Sequence, residues 1–184
     1  MEGGRGMRAL IVYASPEGFS RRLAASVKEG CRKVGVEYSL LDLGERKRLK
    51  NFPFFGRMHH PEKLSVDLTR FGIVFLGFEL GSFSQSRTVF DFIASNEWKG
   101  VPIAIYCSFE SKKKGMEQAV ERLEEKGARI VNTLSMRRHG LIRQKLDDTD
   151  LVRAEAFGER VLNIVLERRV FKHSKKASIQ GYRK

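Results

Sequence analysis

Apolar residues recur along this chain in two rhythms. Short dense runs alternate with longer segments in which apolar positions return every three or four residues. Residues 8–14 (RALIVYA) are almost unbroken apolar, as expected of a strand covered on both faces. Residues 18–34 follow with Phe19, Leu23, Ala24, Val27 and Cys31 on one stripe, a helix that ends near Gly35. Residues 36–43 and 71–78 read as the second and third strands, the third being the more central by its apolar density. Val89, Phe90 and Ile93 place a helix over 84–94. Residues 101–107 form a fourth strand, in which Pro102 is tolerable only near the beginning or at an edge. A helix over 114–126 stops at Gly127, and 128–134 is the fifth strand. The last helix, 148–169, gathers Leu151, Ala154, Phe157, Val161, Ile164 and Val165 on one face and starts with acidic residues that suit its dipole. The alternation predicts an α/β fold, a parallel five-stranded sheet between two layers of crossover helices. Residues 51–61 (NFPFFGRMHHP) fit no period and read as a loop or short helix wrapped on the sheet edge.

Length and composition narrow the class. At 184 residues the chain matches one domain, and 41% hydrophobic with 31% charged residues excludes a disordered acidic or fibrous protein. The glycine-rich residues 1–6 read as a loose leader, 7–169 as the domain and 170–184 as a basic tail. Cys31 and Cys107 form neither a disulfide framework nor a metal spacing, so reduced thiols in a cytoplasmic protein are expected. His59 and His60 are adjacent, diverge in direction and lack companions, so no metal is expected. No apolar stretch approaches the roughly 20 residues needed to span a bilayer. A net charge of +13 gives the molecule a field that attracts anions.

The stretch Tyr13-Ala14-Ser15-Pro16-Glu17-Gly18-Phe19-Ser20 joins the first strand to the first helix. In an open parallel sheet, ligands sit beyond the carboxyl ends of strands, and a helix starting there offers unpaired N–H groups and a positive dipole end. Ser15 and Ser20 add hydroxyl donors, and Gly18 allows close backbone approach. The alternative is that serine and glycine simply cap the helix.

This loop resembles that of the flavodoxin family, whose phosphate-binding pattern is (Ser/Thr)-x-(Ser/Thr)-Gly-x-(Ser/Thr). Ser15, Gly18 and Ser20 fall on its first, fourth and sixth positions. The similarity extends from residue 7 to about 166 through the order of strands and helices. It implies a sheet order of 2-1-3-4-5 and FMN as cofactor, with Ser15, Pro16, Glu17, Gly18, Phe19 and Ser20 around the phosphate. The flavin ring would lie between Phe78-Glu79-Leu80-Gly81-Ser82-Phe83 and Cys107-Ser108-Phe109-Glu110-Ser111. Phe78, Phe83 and Phe109 replace the family's ring-flanking Trp or Tyr, although phenylalanines more often pack in a core. The third motif position is Glu17, whose carboxylate would repel a phosphate by a few kcal/mol at an effective dielectric of about 20. It must point outward or bind a cation, or the phosphate does not bind.

Two functional expectations follow. The first is an FMN-binding redox protein, an electron carrier or an NAD(P)H- or quinone-linked reductase with a redox partner, in which the cofactor supplies the chemistry and no residue of the chain is catalytic. The second is a flavin-free scaffold that holds nucleic acid or an acidic protein. Residues 168–184 carry seven Lys or Arg and no acid, interleaved with Phe171 and Tyr182, and Arg137, Arg138 and Arg143 would add to that surface.

Overall fold

A computed structural model describes residues 6–15, 17–44, 64–80, 83–110, 114–138 and 146–181. Five strands form one parallel sheet: β1 (Arg8–Ala14), β2 (Glu37–Asp42), β3 (Ile73–Leu80), β4 (Pro102–Phe109) and β5 (Arg129–Arg137). Their order is β2-β1-β3-β4-β5, as the resemblance implied. Three helices connect strands, α1 (Phe19–Val34) between β1 and β2, α2 (Phe83–Ser95) between β3 and β4 and α3 (Lys114–Glu125) between β4 and β5, and α4 (Asp148–Gly181) follows β5. Residues 51–61, expected as a loop or short helix, lie outside the described residues.

The sheet separates two apolar layers. On one side Leu10, Val12, Val74, Leu76, Phe78, Ile103 and Ile105 meet Val89, Phe92 and Ile93 of α2 and Ala119 and Leu123 of α3. On the other, Ala9, Ile11, Ile73, Phe75, Ala104 and Tyr106 meet Leu23 and Val27 of α1 and Ala154, Val161 and Val165 of α4. Every residue of β3 is buried, which explains its continuous apolar run: a central strand has no face to leave polar. Pro102 is the first residue of β4, where its missing N–H costs least.

Helices α1 and α4 approach until their backbones touch. A side chain at Gly30 would come within 2.6 Å of the Glu155 carbonyl oxygen, and one at Gly158 within 2.9 Å of the Val27 carbonyl oxygen. Two glycines facing each other thus set the crossing distance, and with it the position of the N-terminus of α1 over the sheet. On the far side, Trp98 donates to the Ile93 carbonyl at 2.8 Å and packs edge-on against Phe92. Helix α4 differs from expectation. It runs past Arg169 to Gly181, carrying the basic segment as a continuation of the helix.

Candidate functional site

The β1–α1 loop lies at the carboxyl edge of the sheet, between the ends of β1 and β3. Gly18 takes φ 91°, a left-handed conformation that a side chain would strain, and turns the chain into α1. No side chain of the cap itself bonds the first turn. The amides that open α1 are instead met from the neighbouring strand by the carboxylate of Glu79 on β3.

That carboxylate is fully buried. Its Oε1 accepts from the Ser15 hydroxyl at 2.6 Å and from the Ser20 amide at 2.9 Å, while Oε2 accepts from the Glu17 amide at 3.2 Å. Ser15 Oγ in turn accepts from the Arg21 amide at 2.9 Å, which relays a further helix donor to the same acid. An anion at a helix N-terminus, held by charge-assisted hydrogen bonds, is the arrangement that the loop was expected to give a ligand phosphate. Here the chain supplies the anion.

A second ion pair closes the loop from outside. Arg138 follows β5, and its side chain is 1% exposed. It donates through Nη1 to Glu17 at 2.6 Å and through Nη2 to the Leu80 carbonyl at 2.9 Å. Its guanidinium lies 4.9 Å from the centroid of the Phe19 ring, within cation–π distance. Glu17 therefore binds a cation, one of the three outcomes open to it, and the cation is a guanidinium of this chain. Arg138 is accordingly no part of a basic exterior: it is buried, with Nη1 and Nη2 each held by a partner and Nε buried without one. Arg143 lies outside the described residues, whereas Arg137 is exposed.

The structure gathers Ser15, Glu17, Gly18, Phe19 and Ser20 around Glu79, and Ser108 stands opposite Glu79 in the β3–β4 register. Phe78, Leu80, Cys107 and Phe109 belong to the core layer under α2 and α3. Phe83 is the first residue of α2, and Pro16, Gly81 and Ser82 lie outside the described residues. The sequence places Arg138 among surface charges and Glu79 in a ring loop, and its local pattern carries no sign of the bonds that join them to the β1–α1 loop. A glutamate at the end of a strand buried on both faces was the available clue, since a carboxylate there requires partners.

FMN phosphate can be tested against these contacts. The Ser15 hydroxyl and the amides of Glu17 and Ser20 are engaged by Glu79; the buried Ser20 and Ser108 hydroxyls have no hydrogen-bond partner. Two hydroxyls do not replace that donor set, and each unit of phosphate charge about 4 Å from the carboxylate costs about 4 kcal/mol at an effective dielectric of 20. The residues as arranged do not fit a phosphate. Among the described residues there is no group of three or more His, Cys, Asp or Glu side chains able to hold a metal, and no helix is long and apolar enough to cross a membrane.

No protein-family model matches the chain, and no curated protein does. Solved structures do. A flavodoxin from the domain Archaea superposes with TM-score 0.60 at 15% identity, over 86% of this chain and 99% of the other. A flavodoxin from Streptococcus pneumoniae TIGR4 gives 0.61 at 14%, over 85% and 98%. The Flv1 flavodiiron core of Synechocystis sp. PCC6803 gives 0.64 at 14%, over 89% of this chain but 37% of its own. With the sheet order and the βα junction already in place, these likenesses establish that the chain has the flavodoxin-like fold.

Proposed function

We propose that this chain is a flavodoxin-fold binding module that works without FMN phosphate at its β1–α1 loop and uses its positive charge to receive an anionic partner. The observation that carries this reading is the buried Glu79 carboxylate on the donors of that loop. The test is a visible spectrum of the purified protein followed by FMN titration monitored by flavin fluorescence. A colourless protein that leaves FMN fluorescence unchanged is expected. Stoichiometric FMN binding by the unaltered chain overturns the reading.

One observation favours a second reading, an FMN-dependent electron carrier or an NAD(P)H- or quinone-linked reductase. Ser20 Oγ is buried, lacks a partner and belongs to the loop that resembles the flavodoxin pattern. Under that reading Glu79 withdraws when FMN arrives, and the loop, freed of its carboxylate, grips the phosphate. FMN binding by the unaltered protein supports it, and bleaching of the bound flavin by NAD(P)H without a partner enzyme then marks a reductase.

A further inference from the structure

The opposite, amino edge of the sheet carries a different kind of site. The starts of β3, β4 and β5 and the middle of α4 enclose an open cavity of about 570 Å³. Phe71, Arg129, Glu167, Arg168, Arg169 and Phe171 contribute its side chains. Three guanidiniums face one carboxylate there. The side chains of Arg129 and Arg168 make no hydrogen bond or ion pair among the described residues, and Phe171 is 72% exposed.

This crowding of like charge has an energetic sign. Partial burial and the proximity of Arg168 both lower the pKa of Arg129, so these cations sit where charge is disfavoured without a counter-ion. A bound anion removes that penalty. Guanidiniums pair with phosphate oxygens in bidentate geometry, and an exposed aromatic ring beside them offers a face on which a base stacks. The helix that supplies Arg168 and Phe171 continues to Gly181 through a sequence that holds Lys172, Lys175 and Lys176 and no acid.

We infer that the cavity between the amino ends of β3 to β5 and helix α4 binds a nucleotide unit, with its phosphate on Arg129 and Arg168 and its base against Phe171. The inference deepens the binding-module reading by naming its ligand, but the site is remote from the β1–α1 loop and stands whether or not FMN binds there.

The experiment measures binding of a fluorescein-labelled oligo(rA) of twelve nucleotides by anisotropy across a salt series, with AMP as competitor. Proteins compared are the full chain, Arg129→Gln/Arg168→Gln, Phe171→Ser, and Arg87→Ala as a control for lost charge on exposed α2. The double variant is expected to bind at least tenfold more weakly. Its log–log salt slope should be shallower by about 1.4, the loss of two single-strand phosphate contacts. Phe171→Ser should weaken binding at unchanged slope, and Arg87→Ala should bind within twofold of the full chain. Competition by AMP at concentrations that leave ionic strength unaltered assigns the site to free nucleotides; binding of the oligomer alone assigns it to single strands. Full-strength binding by the double variant, or none by the unaltered protein, overturns the inference. Oligomer binding by a chain that also takes up FMN would sink the flavin-free reading while leaving this site intact.

Discussion

Replacing Glu79 with alanine strips the acceptor from the Ser15 hydroxyl and from the amides of Glu17 and Ser20, all within a buried loop. Urea unfolding should report a loss of about 1–3 kcal/mol. Glu79→Gln retains one oxygen but turns an NH2 toward a donor, and should fall between the two. The Glu17–Arg138 pair is worth less than its 2.6 Å separation suggests, because Glu17 is 45% exposed and screened. A double-mutant cycle on this pair should give a coupling of about 1 kcal/mol or less. Cys31 supplies a pH prediction. Burial pushes its thiol up to about 12, above its unfolded value. The unfolded chain therefore loses this proton first, and the thiol's contribution is complete below about pH 9 and lost as pH rises toward 12, at about 1.4 kcal/mol per unit. Urea midpoints measured from pH 8 to 10 should decline, and Cys31→Ala should flatten the curve below the range where the buried Tyr106 hydroxyl begins to contribute. At this scale the sequence disclosed Ser15, Gly18 and Ser20, because local order alone places them at a helix start. It hid their partner: the bond between positions 15 and 79 spans the first two crossovers, and no local pattern encodes it.

The elements were legible where burial is symmetric. β1, β3 and β4 announce themselves as apolar runs because both faces are covered, and α1 shows its stripe because only one face is. Strand ends were less visible. β3 extends two residues beyond its last phenylalanine to take in Glu79, and β5 extends to Arg137, which brings Arg138 to the loop. Polar residues at those ends look like loop until their buried partners are known. The α1–α4 contact was also silent, since a glycine within a helix does not reveal that another backbone lies against it. It is nevertheless sensitive: Gly158→Ala or Gly30→Ala forces a methyl into backbone at under 3 Å. Each should cost about 1–3 kcal/mol, a fall in Tm of about 2–4 °C per kcal/mol in a chain of this size, read by calorimetry. Because α1 would tilt away from the sheet, the Ser20 amide should show faster hydrogen exchange in either variant, at the far end of the helix from Gly30.

At the scale of the whole molecule, a charge of +13 works against compactness. The exposed ion pairs, such as Arg8–Glu37 and Arg21–Asp42, offset little of that self-repulsion. Raising sodium chloride from 10 mM to 0.3 M, which shortens the screening length from about 30 Å to below 8 Å, should therefore raise Tm rather than lower it. Phosphate at matched ionic strength should raise it further through mass action on the folded state. Equal effects of the two salts would indicate screening alone.

A stopper that belongs to the chain cannot be diluted away. Any outside anion seeking the top of α1 competes with a tethered rival, and its apparent affinity is scaled by the fraction of time the rival has swung clear. If Glu79 vacates its seat about 1% of the time, a ligand forfeits roughly a hundredfold in affinity there. Trimming position 79 to alanine abolishes the competition at a stroke, and small carboxylates such as formate or acetate should then settle into the space and restore part of the lost stability.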